Sequence, residues 1–104
     1  MLFMKRQFFA AIRSGRKTTT LRFWARPRVR PGSVHSVRGL GKIRVTDVQV
    51  LDEQDLTHEH AHADGFGDLQ QLRHALAMLY PPSGRAGKQL YLVRFQFLAR
   101  QGVA

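Results

Sequence analysis

The segment Gly15-Arg16-Lys17-Thr18-Thr19-Thr20-Leu21-Arg22 holds the densest set of side chains that could do chemistry. A turn after Gly15 could bring Lys17 beside Thr20. Cations at Arg16 and Arg22 disfavour a charged lysine and so lower its pKa, and a neutral Lys17 could act as a general base that activates the Thr20 hydroxyl as a nucleophile. The same residues also suit an ordinary basic β-strand, because threonine favours extended backbone.

A second cluster reads His58-Glu59-His60-Ala61-His62-Ala63-Asp64. On a helix, His58 and His62 lie one turn apart, with Glu59 or Asp64 nearby, which is a spacing that can bind a metal ion. The same pattern suits a solvated helix face, and no third group of ligands occurs elsewhere in the sequence. We therefore predict neither a metal site nor a cofactor.

Aromatic side chains near the basic segment could stack on a nucleobase among arginines. Trp24 directly follows that segment and precedes a loop, which makes it a candidate substrate-binding residue. Phe23, Tyr80 and Tyr91 could serve in the same way or belong to the core.

The charge is both high and unevenly distributed. The 17 Lys and Arg residues against 7 Asp and Glu give a net charge of +10, and 13 of the cations are arginine. Residues 1–46 hold twelve cations and no acid, whereas residues 47–72 hold all seven acids and neither Lys nor Arg. Such a field attracts polyanions such as RNA, a nucleotide or an anionic surface, and it is equally compatible with a solubilising surface.

Length and composition exclude several classes of protein. The 104 residues suit one domain over 1–104. The absence of cysteine excludes a disulfide scaffold, a thiolate zinc site and a cysteine nucleophile. Because no apolar run approaches the roughly 20 residues of a membrane span, and the N-terminal residues do not read as a signal peptide, we expect a cytoplasmic protein. The oligomeric state, monomer or small homo-oligomer, stays open.

Apolar periodicity and turn residues predict an α+β fold. After a short edge strand at residues 1–4, we expect a helix over 5–14, an extended segment from Thr18, and a loop over 25–33 that carries Arg26, Arg28 and Arg30. Strands are expected at 34–38 and 42–51, with a bulge at Thr46-Asp47, and helices over 57–63 and from 68 to 80. A last strand covers 89–99. A small closed or nearly closed sheet would leave no unpaired edge.

These motifs, taken in order, resemble the ASCH domain family of the PUA-like superfamily. The matching features run through residues 1–98: Gly15-x-Lys17-x-x-x-x-Arg22, Arg30-Pro31-Gly32-Ser33-Val34, His60-Ala61-His62-Ala63-Asp64-Gly65-Phe66, Leu79-Tyr80-Pro81 and Leu90-Tyr91-Leu92-Val93-Arg94-Phe95. The resemblance implies a small PUA-like β-barrel flanked by helices, with a basic cleft suited to RNA or a nucleoside.

Within that family, Gly15-Arg16-Lys17-Thr18-x-Thr20-x-Arg22 looks like the small bacterial branch that hydrolyses N4-acetylcytidine. The resemblance implies the catalytic set Lys17, Thr20 and Asp64, the last standing where the branch has glutamate. We assign Arg22 to the developing oxyanion or the pyrimidine carbonyl, and Arg16 to the ribose or phosphate side. The substrates expected are N4-acetylcytidine and related N4-acylated cytosines, with cytidine and a carboxylic acid as products.

Two alternatives use the same basic cleft. A non-enzymatic RNA-binding module would bind oligonucleotides through Arg26, Arg28 and Arg30, with an affinity that falls steeply with salt. A ribonuclease would cleave RNA and lose that activity when Lys17 is replaced.

Overall fold

The computed structural model describes residues 4–99 of the chain. Besides 3-10 turns at Arg6–Phe8 and Glu53–Asp55, these residues form four α-helices and four β-strands. The helices are α1 (Phe9–Arg13), α2 (His58–Ala63), α3 (Leu69–Leu79) and α4 (Pro82–Arg85). The strands are β1 (Thr19–Trp24), β2 (Val34–Val37), β3 (Gly41–Leu51) and β4 (Gln89–Leu98). All neighbouring strands are antiparallel, in the order β1-β4-β3-β2.

The sheet curls into a half-barrel and carries a hydrophobic core on each face. One core joins the sheet to α1 and to the loop after β1, through Ile43, Val45, Val93 and Phe95 with Phe9, Ile12 and Val29. The other joins it to α2 and α3, through Leu21, Phe23, Leu90 and Leu92 with Ala61, Leu72 and Leu76. Strand alternation thus gives each face its own helical layer, and β1 and β2 are the two edges of the sheet.

A bulge in β3 keeps its apolar side chains on one face. Val45 pairs with Phe95 and Val48 pairs with Val93, and the register shifts between Val45 and Asp47. Strict alternation would place Val45 and Val48, three positions apart, on opposite faces. Because the extra residue restores the phase, both valines contact the same core. The bulge predicted from the sequence is confirmed.

Glycines and capping residues set the ends of the helices that flank the site. Gly15 follows α1 with φ +81° and Gly65 follows α2 with φ +95°, in the left-handed region that favours glycine. Thr57 caps α2: its Oγ1 accepts from the His60 N–H at 3.3 Å, and its own N–H donates to His60 Nδ1 at 2.9 Å. At the start of α3, Asp68 accepts a backbone N–H from the first turn at 2.8 Å.

Most elements predicted from the sequence are confirmed, with ends that differ by a few residues. The 3-10 turn at Glu53–Asp55 and the helix α4 were not predicted, because three- and four-residue elements have no apolar periodicity. The predicted edge strand falls mainly on residues 1–3, which lie outside the described residues. No helix in residues 4–99 combines the length and the apolar character that a membrane crossing requires.

Candidate active site

A cavity of about 540 Å³ lies along the outer edge of β1. Its polar residues are Lys5, Gln7, Lys17, Thr20, Arg22 and Asp64. The helix α3 and the residue after it supply most of the apolar wall, with Leu72, Ala75, Leu76, Met78, Leu79 and Tyr80. Met4 and Phe8 close the cavity from the N-terminal side. The cavity therefore has one wall rich in hydrogen-bonding groups and one that is largely hydrocarbon.

Consecutive threonines of β1 point to opposite faces of the sheet. Thr20 pairs with Val93, which belongs to the α1-side core, whereas Thr19 shares its face with Leu21 in the α3-side core. Both side chains are buried, Thr19 with 1% and Thr20 with 6% of its surface exposed. Because β1 is an edge strand, one cavity reaches around it to Thr20 on one face and to Asp64 on the other.

Lys17 and Asp64 form a buried pair on the wall of this cavity. Lys17 Nζ lies 3.3 Å from Asp64 Oδ2 and donates a hydrogen bond of 2.7 Å to the Asp64 backbone carbonyl. The Phe8 ring lies under the amine, 4.7 Å from Nζ to its centroid. The carbonyl belongs to the C-cap of α2, so the lysine also satisfies an acceptor that the helix end leaves open.

Backbone contacts hold this pair in place. The N–H of Lys17 donates to the Ala11 carbonyl at 3.0 Å, and the N–H of Thr18 donates to the Ala63 carbonyl at 2.7 Å. A Cβ at Gly65 would lie 3.4 Å from Cβ of Lys17, so the lysine stem packs directly against the glycine. The chain therefore joins the end of α1, the start of β1 and the end of α2 at one point.

Burial governs the protonation of the pair. Loss of solvent lowers the pKa of Lys17, and attraction to Asp64 offsets only part of this; Arg22 lowers it by a smaller amount. Burial likewise raises the pKa of Asp64, against the opposing influence of Lys17, Thr19 and Arg22. The sequence predicted the direction for Lys17 but attributed it to Arg16 and Arg22. The main cause is desolvation, and Arg16 is exposed.

Thr20 has a different polar partner. Arg22 Nε donates to Thr20 Oγ1 at 3.0 Å, and Arg22 Nη2 lies 3.7 Å from the sulfur of Met4. Burial lowers the pKa of Arg22, with Tyr80 and Asp64 acting in the opposite direction. Among the described residues, Lys17 Nζ hydrogen-bonds atoms of Asp64 and not Thr20. The site thus consists of two pairs, Lys17–Asp64 and Thr20–Arg22, on one cavity.

Two of the predicted substrate-binding residues lie elsewhere. Arg16 is exposed, and Trp24 is half-buried against Tyr91, with ring centroids 5.7 Å apart. Within the described residues, neither lines the cavity. Trp24 shares the face of Thr20 and Arg22 but lies at the far end of β1, where it packs on the α1-side core. Their predicted roles in substrate binding stay predictions.

The sequence did not identify Thr19 or Phe8 as parts of the site. Thr19 Oγ1 donates to Asp64 Oδ1 at 3.1 Å. Alternation within the threonine run already indicates that Thr19 and Thr20 face opposite ways, but only the position of α2 shows which of them meets Asp64. Phe8 could have been found from its place on the predicted helix before Gly15, one turn ahead of Ile12.

The histidines of α2 make local structural contacts. His58 Nδ1 accepts from the Leu69 N–H at 3.4 Å, and His62 Nε2 lies 2.9 Å from the Gly67 carbonyl. In the part of the chain that the structure describes, no group of three or more His, Asp or Glu side chains could hold a metal ion.

Solved structures with a similar fold are found at low sequence identity. Hypothetical protein PH0355 has a TM-score of 0.77 at 14% identity, covering 92% of this chain and 95% of that chain. The ASCH domain from Lactobacillus crispatus JV V101 has a TM-score of 0.66 at 18% identity, covering 85% of this chain and 68% of that chain. Protein PF0455 from Pyrococcus furiosus has a TM-score of 0.69 at 16% identity, covering 94% of this chain and 96% of that chain.

No family model and no curated protein matches the sequence. The likeness to solved structures concerns the fold alone, which is the α+β fold of ASCH and related PUA-like proteins. The predicted fold class is confirmed.

Proposed function

We propose that this protein is a cytoplasmic amidohydrolase that cleaves the N4-acyl amide of N4-acetylcytidine and related N4-acylated cytosines. The observation that carries the proposal is the convergence of the Lys17–Asp64 and Thr20–Arg22 pairs on one cavity. The resemblance of Gly15-Arg16-Lys17-Thr18-x-Thr20-x-Arg22 to the hydrolase branch supports it. A volume of about 540 Å³ lies within the usual range of sites for small organic molecules.

In this proposal Thr20 is the nucleophile. Its Oγ1 accepts a hydrogen bond from Arg22, which stabilises negative charge on that oxygen and leaves the threonine's own proton available to an acceptor. The guanidinium also lies next to the atom that attacks, so it can stabilise the oxyanion that forms on the acyl carbonyl. Arg22 can therefore stabilise both the attacking Thr20 oxygen and the carbonyl oxygen of the acyl group.

Lys17 is the general base, and Asp64 orients its amine by accepting the N–H donors. A neutral amine has two N–H donors and one lone pair. With both donors directed to Asp64, at its carbonyl and at Oδ2, the lone pair remains for the proton of Thr20. Because burial lowers the pKa of Lys17, the amine reaches its neutral form more easily than an exposed lysine, while the Asp64 carboxylate accepts from its N–H group.

The steps balance without a co-reactant other than water. The Thr20 proton moves to Nζ of Lys17 as Oγ1 bonds to the acyl carbon. That proton then passes to N4 as the C–N4 bond breaks, so cytidine leaves as a neutral amine and the acyl group remains as an ester on Thr20. Water attacks the ester with proton transfer to Nζ, and the return of a proton to Oγ1 releases the carboxylic acid.

The test measures release of cytidine from N4-acetylcytidine by the purified protein, with chromatography as the readout. We expect turnover by the wild type and a loss of about 10²-fold or more in kcat for Lys17→Met, in the range observed for a general base. Thr20→Val, which keeps the shape but not the hydroxyl, should abolish acyl-enzyme formation.

Thr18→Val is the matched control, because Thr18 is exposed and precedes the same strand. It should retain wild-type turnover. An absence of cytidine release by the wild type, or equal turnover by wild type and Thr20→Val, would exclude the proposed function.

A specific observation supports RNA binding as a second candidate function. Arg26, Arg28 and Arg30 are all exposed on the loop after β1. Within the described residues, none of the three loop arginines forms an ion pair, so they are available to phosphates. RNA cleavage that disappears in Lys17→Met would instead support the ribonuclease alternative.

A further inference from the structure

Thr19 is the most buried polar side chain among the described residues, and the proposed chemistry does not use it. It shares a strand face with Leu21 and Phe23, which lie in the α3-side core. A hydroxyl in such surroundings destabilises the fold unless it has a hydrogen-bond partner. That partner is Oδ1 of Asp64, 3.1 Å away.

The carboxylate of Asp64 is held from two sides. Oδ1 accepts from Thr19, and Oδ2 faces Lys17 Nζ at 3.3 Å. The backbone is joined at the same point, since the N–H of Thr18 donates to the carbonyl of Ala63 at 2.7 Å. These contacts join the start of β1 to the end of α2, with one carboxylate oxygen taken by Thr19 and the other facing Lys17.

We propose that Thr19 is a positioning residue that acts through Asp64: its hydroxyl orients the carboxylate and keeps Oδ2 directed at Lys17. Thr19 does not line the cavity in the described structure, so it contacts Asp64 and not a ligand. The catalytic consequence rests on the proposed function, whereas the effect on Asp64 does not depend on it.

The ionisable surroundings of Asp64 are few. Lys17, just before β1, and Arg22, on β1, both act on its protonation. From the other walls of the same cavity, Tyr80 follows α3 and Lys5 precedes the first 3-10 turn. None of these side chains is altered when Thr19 is replaced, so a change in the titration of Asp64 reports the lost hydroxyl.

The experiment follows the Asp64 carboxyl group by ¹³C NMR over pH in the full chain. Thr19→Val removes the hydroxyl at nearly constant volume, and Thr19→Ser keeps it. We expect the midpoint of Asp64 to rise by about one pH unit in Thr19→Val, because a donor that favours the carboxylate is lost, and to return to the wild-type value in Thr19→Ser. The acid limb of the pH profile of kcat/KM should move in the same direction.

An unchanged Asp64 midpoint in a folded variant without the hydroxyl overturns the proposal. Thr19→Ala, which also lacks the hydroxyl, is measured in parallel, so that the test can be made on whichever of the two variants folds. If the midpoint moves while the wild type fails to release cytidine, the proposed function is excluded and the role of Thr19 toward Asp64 stands. If hydrolysis occurs, Thr19→Val should have no further effect on kcat in an Asp64→Asn background, and a full additional loss there would contradict action through Asp64.

Discussion

At the scale of single residues, the site depends on a lysine and a carboxylate that share a buried position. Exposed lysine–aspartate pairs contribute little, because water and salt screen them. Here Lys17 has 3% of its surface exposed and Asp64 has 6%. Removal of either side chain would therefore leave the other as a buried charge without its partner, which destabilises the fold. The result is an amine that loses its proton more easily than an exposed lysine.

The altered protonation of Lys17 predicts a dependence of stability on pH. Its ordinary pKa is 10.5, and the folded value is lower, so between the two values the unfolded chain binds more protons than the folded chain. The free energy of unfolding of wild type relative to Lys17→Met should therefore increase with pH up to about 10.5, by up to about 1.4 kcal/mol per pH unit. Urea unfolding at a series of pH values measures this difference.

Lys42→Met is the matched control, since Lys42 is an exposed lysine on β3. Its difference from wild type should stay nearly constant over the same range. A relative stability of Lys17→Met that improves as the pH rises would contradict the assignment of a lowered pKa to Lys17. Asp64 acts in the opposite sense at acid pH. Its pKa in the folded chain is raised above 3.8, so above that pH the folded chain binds more protons than the unfolded chain, and this group makes stability fall as the pH rises.

At the scale of elements, the cavity is built by an edge strand and a helix of different chemistry. β1 supplies Thr20 and Arg22, whereas the facing residues of α3 are apolar and include Met78, which is 73% exposed. Under the proposed function, the polar amide of the substrate would lie against β1 and its hydrocarbon acyl chain against α3. The identity of the α3 side chains should then set the length of acyl group that is accepted.

Ala75 tests this division of the cavity, because it is small and lines the apolar wall. Ala75→Leu should lower kcat/KM for N4-hexanoylcytidine about tenfold or more relative to N4-acetylcytidine, as expected when a pocket loses room for methylene groups. Competition between the two substrates in one reaction measures the ratio. Ala77→Leu, on the same helix but outside this cavity, should leave the ratio unchanged; an equal change in both variants would place the acyl chain elsewhere.

The elements were far more predictable than the contacts between them. Periodicity identified α3 from Leu72 and Leu76, and the break at Thr46-Asp47 located the bulge. The position of β4 between β1 and β3 could not be inferred, because strand patterns do not encode their neighbours. The family motif brought Lys17, Thr20 and Asp64 to attention, but the link between Thr19 and Asp64 depends on where the end of α2 meets the start of β1, which no local pattern specifies.

At the scale of the whole molecule, positive charge lies outside the cavity as well as inside it. The loop that carries Arg26, Arg28 and Arg30 follows the far end of β1, away from Lys17 and Asp64. Exposed cations attract a polyanion over distances of about a Debye length, roughly 10 Å at 0.1 M salt. The same field would concentrate polyanions such as RNA near the protein.

The loop predicts a salt dependence that can be separated from the chemistry. Replacing Arg26, Arg28 and Arg30 by Gln should weaken binding of single-stranded RNA and reduce the slope of log affinity against log salt by about 2, for three lost phosphate contacts. Fluorescence anisotropy at several salt concentrations measures both quantities. Turnover of N4-acetylcytidine should persist in this variant, because none of the three residues lines the cavity.

Arg73→Gln provides the control, as an exposed cation on α3. It should change the slope by less than one. Equal RNA affinity of the wild type and the triple variant at all salt concentrations would exclude the loop as an RNA contact.

The three threonines in a row would tolerate a slip of β1 by one position in one direction, because Thr18 and Thr19 would then take the places of Thr19 and Thr20. In that slip Arg22 would take the place of Phe23 in the apolar core under α3, and Leu21 would move to the opposite face of the strand. Leu21 and Arg22 therefore fix the register of β1, and with it which threonine contacts Asp64 and which contacts Arg22.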